Sequence, residues 1–244
     1  MARLFNGTSD KLTATLDLSG ASIVTVALWN WWDSFTPLNG AGMLNYGDID
    51  HSSSFLVQPQ NNTPAAPFGI AMAVNITGTQ HYWFDSFATP SAAAWHHYCF
   101  VFDRATPQLT YYLDGAVQTP VQNFREAVTY GNFANDALTL MQEPHTSLSF
   151  GAGRCADVGL WTVGLSSSDA AALARGASPP SVHPSNLLAY WRLVGSDSPE
   201  PDSTVTNADL TLTGTSYTAD PAALAGIASK NQDFSQFPNP ALRR

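Results

Sequence analysis

The segment from Ser22 to Trp32, SIVTVALWNWW, is apolar on both faces of the strand it would form. Ile23, Ala27, Trp29 and Trp31 fall on one side, and Val24, Val26, Leu28 and Trp32 on the other. Successive strand side chains point to opposite faces, so this strand needs cover on both and belongs in a sheet centre. WHHYCFVFD, Trp95 to Asp103, is a second strand of the same kind. It is followed by LTYYLDGAVQ, Leu109 to Gln118, in which Asp114-Gly115 is a two-residue hairpin signal between apolar runs. KLTATLDL alternates instead, with Leu12, Ala14, Leu16 and Leu18 on one face, as in a half-buried strand. Further strands are expected at 69–76, 80–87, 137–141, 157–161, 187–193 and 209–213. So many short strands, punctuated by Gly, Pro, Asn and Asp, predict an all-β antiparallel two-sheet sandwich. One short helix is expected near 168–175, opened by Ser166 with Asp169 three residues on and stopped by Gly176.

Composition narrows the partners. Charged residues make up 12% of the 244, with 10 Lys+Arg against 19 Asp+Glu and a net charge of -9. Ordinary globular proteins carry about 25%. The aromatic content of 11% excludes a disordered chain. Lys11 and Lys230 are the only lysines, too few for a phosphate-neutralising or lipid-anchoring surface. Neither a nucleic-acid partner nor membrane insertion is expected, since no apolar run approaches the roughly 18 residues of a span. Arg3 is followed by strand-like alternation rather than an apolar leader, so synthesis in the cytoplasm without a signal peptide is expected. Cys99 lies in the apolar run YCFVF and Cys155 in GAGRCADVG; both read as free thiols, with a bridge between them as the alternative.

LFNGTSDKL, WHHYCFVFDRATPQLTYYLDGAVQ and DVGLWTVGLSSSDAAALARG occur in this order. Together they resemble the laminin-G-like group of the concanavalin A-like lectin/glucanase jelly rolls, over about residues 3–220. The resemblance implies a jelly-roll domain over residues 1–221; after Pro221 the strand periodicity fades, and 222–244, which keeps Phe234, Phe237 and Leu242, is expected as an extension that docks on a neighbouring subunit. The opening and LLAYWRLVGSDSPEPD also resemble laminin-G-like proteins of bacteriophage virion gene clusters, often labelled minor tail proteins. That narrower resemblance implies a non-enzymatic virion structural protein, on the tail rather than the capsid. Its expected partners are other virion proteins, copies of itself and host-surface carbohydrate. A capsid decoration protein, or a secreted glycan-binding or glycan-cleaving protein of the same fold, is the alternative.

Retaining glycosidases need two carboxyls about 5–5.5 Å apart. The family's glucanase motif, Glu-x-Asp-x-x-Glu, includes none of Glu126, Glu143 and Glu200, the only glutamates. No G-x-S-x-G elbow supports a serine nucleophile. His96 and His97 are adjacent on a strand, point to opposite faces and cannot chelate one ion together. No cofactor is expected. Calcium is the alternative to a solvated turn at Asp48 and Asp50, since it takes 6–8 oxygen ligands. A sugar platform of rings flanked by polar groups is expected at Tyr82, Trp83 and Asp85, with Phe87 and the Tyr111/Tyr112 pair as further ring candidates. Trp29, Trp31, Trp95 and Trp161 are assigned to the core, while Trp32 and Trp83 are left open.

Overall fold

A computed structural model describes residues 2–35, 40–48, 53–59, 68–143, 149–194 and 198–218. The proposed extension at 222–244 and the end of the proposed domain lie outside them. The strands in chain order are β1 (Ala2–Asn6), β2 (Lys11–Asp17), β3 (Ile23–Trp32), β4 (Leu44–Tyr46), β5 (Ser54–Gln58) and β6 (Phe68–Ile76). They continue as β7 (Thr79–Phe87), β8 (Trp95–Asp103), β9 (Gln108–Leu113), β10 (Ala116–Val117), β11 (Gln122–Arg125) and β12 (Asn135–Leu140). The last are β13 (Gln142–Glu143), β14 (Ser149–Phe150), β15 (Ala152–Trp161), β16 (Leu187–Trp191), β17 (Thr211–Thr213) and β18 (Ser216–Thr218), with an α-helix, α1 (Ser167–Ala174), and a 3-10 turn at Pro179–Ser181 between β15 and β16.

Two eight-stranded antiparallel sheets form the sandwich. Sheet A runs β10-β9-β8-β3-β15-β1-β18, with β16 also pairing β15; sheet B runs β11-β7-β6-β5-β4-β12-β2-β17. The doubly apolar β3 lies at the centre of sheet A, between β8 and β15. Its Val24, Val26, Leu28 and Trp32 enter the core between the sheets. There they meet the inward alternate residues of sheet B, among them Leu12, Leu16, Phe55, Ile70 and Met72. Phe55 stacks on Phe102 across the two sheets at 4.3 Å. Such a pair adds about 1 kcal/mol to the burial of its rings.

The turns follow from the residues in them. Asp114 and Gly115 take φ of 51° and 81°, the left-handed pair of a type I′ hairpin, and set Leu113 opposite Ala116. Thr77 and Gly78 repeat this at φ 49° and 85° between β6 and β7. α1 opens with a capping box: Ser166 accepts from the Asp169 N–H, and Asp169 accepts from the Ser166 N–H at 2.9 Å. The helix lies on the outer face of sheet A, where Ala170 and Leu173 cover Ala27, Cys99, Val101, Tyr112 and Trp161. Gly115 lies so close beneath it that a Cβ there would stand 2.7 Å from the Ala171 Cα.

Several expectations need correction. β4, β5, β11 and the short β13, β14 and β18 were not expected. Trp29 and Trp161 are buried as assigned, but Trp31 and Trp95 are half-exposed, because α1 covers only part of the outer face of sheet A. Trp32 is a core residue with 1% of its surface exposed. Both cysteines are free and buried. Cys99 packs under α1 and Cys155 between the sheets, on opposite faces of sheet A, so the alternative of a bridge is set aside.

Candidate functional site

The ring-rich strand β7 is where the expected site residues separate. Its inward-facing alternates are Trp83, Asp85 and Phe87, and its outward ones are Tyr82 and Phe84. Trp83 and Asp85 therefore come together, while Tyr82 stands on the opposite face of sheet B. Asp85 is fully buried and accepts from the Nε and one terminal nitrogen of Arg125 on the neighbouring β11, at 2.8 to 3.1 Å. The same guanidinium lies 4.8 Å over the Trp83 ring, and Trp83 meets Tyr130 edge-on. Glu126 completes the clamp by accepting the Tyr82 N–H at 2.6 Å and facing His81 at 3.7 Å. These contacts hold β11, all of whose residues are exposed, onto the edge of the sheet.

The other face is what that clamp presents. Register places Phe124 beside Phe84, Phe84 beside Ala71, then Leu56, Asn45 and Thr139 in one row across sheet B. The centre of this face is closed, since Ser54 and Ala73 expose nothing. Its β11 end is open: Phe124 is 57% exposed, Tyr82 and Phe84 are half-buried, and Gln122 lies exposed on the same face as Phe124. Of the other expected rings, Phe87 and Tyr111 are core residues and Tyr112 lies beneath α1, so none of the three can contact a ligand.

The remaining candidates are accounted for by structure. Glu200 is buried against Arg3 at 2.8 Å, Glu126 serves the Tyr82 N–H, and Glu143 is buried in β13. His96 and His97 do point apart. His97 packs edge-on against Trp29 at 5.3 Å, and burial pulls its pKa down to about 4, against a smaller opposing pull from Asp114. His96 bridges Ser91 and Asp114 at 2.7 Å each, tying the loop before β8 to the hairpin turn. This three-residue chain was missed in the sequence because its members come from a loop, a strand start and a turn. Asp48 is half-buried and engaged in an interaction, and Asp50 lies outside the described residues. Among the described residues no three His, Cys, Asp or Glu side chains group as metal ligands.

Among solved structures, a Bacteroides ovatus protein provisionally assigned to carbohydrate binding superposes with a TM-score of 0.60 at 14% identity, over 88% of this chain and 61% of its own. The heptameric SAP-like pentraxin of Limulus polyphemus gives 0.54 at 14% identity, over 86% and 93%. The enzymatically active domain of tailspike protein 2 from bacteriophage CBA120 gives 0.55 at 15%, over 76% of this chain and 29% of that one. At such identities the likeness is one of fold. No curated protein sequence matches the chain. The family model described as the concanavalin A-like lectin/glucanases superfamily matches residues 6–171, from the end of β1 into α1. The two antiparallel sheets, the central β3 and the short α1 agree with that match, and the chain belongs to the concanavalin A-like lectin/glucanases superfamily.

Proposed function

We propose that this chain is a glycan-recognising structural module of a bacteriophage virion, carried on the tail and facing the host surface. One observation carries the glycan reading: Tyr82, Phe84 and Phe124 form an open aromatic end on the outer face of sheet B, with the exposed Gln122 beside them. Sugars present apolar C–H faces rimmed by hydroxyls, and rings flanked by amides suit them. The fold shared with the Bacteroides ovatus protein and with a phage tailspike supports the reading. So does the likeness of the segments opening at Leu4 and at Leu187 to phage minor tail proteins.

We read the module as one that binds rather than cleaves: none of its three glutamates lies in the family's glucanase motif, Glu200 is paired with Arg3, Glu126 accepts the Tyr82 N–H and Glu143 is buried. It assembles in the host cytoplasm with other virion proteins and copies of itself, using the apolar residues of 222–244, and it holds sugar without metal. A glycan array probed with and without chelator tests the binding. Phe124→Ala is expected to weaken the positive signals about tenfold, which corresponds to about 1.4 kcal/mol. An array without signals, or signals indifferent to Phe124, would refute the reading. Immunogold labelling of purified particles tests the location: gold on the tail supports it, and gold on the capsid or none overturns it.

A further inference from the structure

The outer face of sheet A is covered by α1 over only part of its extent, and the rest ends in a row that crosses five strands. Register sets Trp95 of β8 beside Trp31 of β3, Trp31 beside Arg154 of β15, Arg154 beside Leu4 of β1, and Leu4 beside Ser216 of β18. The next row inward, His97, Trp29 and Ala156, is buried and supports the first from behind. Trp31 and Trp95 meet edge to face, with centroids 6.2 Å apart at 71°. The Arg154 guanidinium lies 4.4 Å over the Trp31 ring.

Four described arginines lie over aromatic rings, and three of them also bind a protein acceptor. Arg3, over Tyr217, is paired with Glu200. Arg104, over Phe133 and Tyr130, donates to the Tyr130 carbonyl. Arg125, over Trp83, holds Asp85. Arg154 is the exception: among the described residues it has neither a hydrogen bond nor an ion pair, and its Nε is buried without a partner. A guanidinium resting over an indole presents a planar fork of donors that matches a carboxylate.

We infer that Trp31, Trp95 and Arg154 form a second ligand site, which takes an acidic sugar by its carboxylate. The ring carboxylate of a uronic acid accepts from Arg154 while the C–H face of the pyranose rests on the two indoles. The inference rests on the reading that the chain recognises glycans, and it adds a charge class and a place distinct from Phe124. With a net charge of -9 the protein repels long polyanions, so a short oligosaccharide is the suitable probe.

Titration calorimetry on the full chain with trigalacturonate, its neutral methyl ester and inorganic sulfate tests this. Trigalacturonate binds, the ester binds at least tenfold more weakly, and added sodium chloride weakens the acid but not the ester. Arg154→Met, which keeps the stem over Trp31, loses about 10–100-fold in affinity for the acid. Arg154→Lys restores part of it, and Phe124→Ala leaves it unchanged. Equal affinity for acid and ester, or no effect of Arg154→Met, overturns the proposal. Sulfate binding as tightly as the sugar acid reduces the site to an anion hole and overturns it too. Should neutral glycans bind in a Phe124-dependent way while trigalacturonate fails, only this inference falls. If no sugar binds, both readings fall.

Discussion

His97 is a histidine that folding forces to stay neutral, and its burial predicts a pH dependence of stability that one substitution should remove. The side chain is 3% exposed, lies edge-on to Trp29, and has no hydrogen-bond partner at Nδ1 among the described residues. Desolvation lowers its pKa from the ordinary 6.5 to about 4, although Asp114 pulls weakly the other way. The unfolded chain therefore takes up a proton before the folded one does. The stability due to neutral His97 is complete above pH 6.5 and is lost as pH falls toward 4. At pH 5 the unfolded form is protonated about thirtyfold over neutral and the folded form hardly at all. That ratio removes about 2 kcal/mol between pH 7.5 and pH 5. Urea unfolding followed by tryptophan fluorescence at both pH values measures it. His97→Gln changes the absolute stability through packing, but it should lose about 2 kcal/mol less than the wild type over the same interval. All other titrations cancel in that difference. Equal losses in the two proteins would show that His97 is solvated or protonated in the fold, against the reasoning.

Three further outcomes follow from the packing. Glu200→Ala leaves Arg3 charged and buried and should cost about 3–5 kcal/mol in chemical denaturation, whereas replacing both partners by Leu and Met costs far less. Gly153→Ala drives a Cβ into the backbone carbonyl of Trp31, a clash that β3 and β15 can relieve only by moving apart. A loss of about 2–3 kcal/mol, or a drop in Tm of about 6 °C or more by calorimetry, is expected. Cys99 and Cys155 are buried and desolvation raises both thiols, so Ellman's reagent should titrate none in the native protein and two after denaturation.

Much of this fold was legible because several local signals agree with the tertiary structure. The two-faced apolar run at Ser22–Trp32 could only be central, and β3 is flanked on both sides. Asp114-Gly115 and the Ser166/Asp169 box specify their turn and cap within a few residues. β4 and β11 were not legible for opposite reasons. Leu44–Tyr46 is too short to show a period, and Gln122–Arg125 has no buried alternate at all. β11 is held by Arg125 reaching Asp85, 40 residues earlier in the chain, and no local pattern encodes that distance.

The expected site was less legible, and its failure to assemble follows from alternation. The rule that separated His96 from His97 also separates Tyr82 from Trp83 and Asp85, so the grouping of those three could not survive folding into a strand. What alternation cannot supply is the extent of cover on an outer face. Trp29 and Trp31 share one face of β3, yet Trp29 is buried in a small cluster with Ala2, Ala156 and Trp95, while Trp31, one row further out and beyond the residues that α1 packs against, is half-exposed. On sheet B likewise, Ala73 is closed and Phe124 is open. Both proposed ligand surfaces therefore lie where a sheet runs past its cover. There a ring keeps the rigidity of a buried strand while its edge meets solvent, and an arginine such as Arg154 can be held without being neutralised.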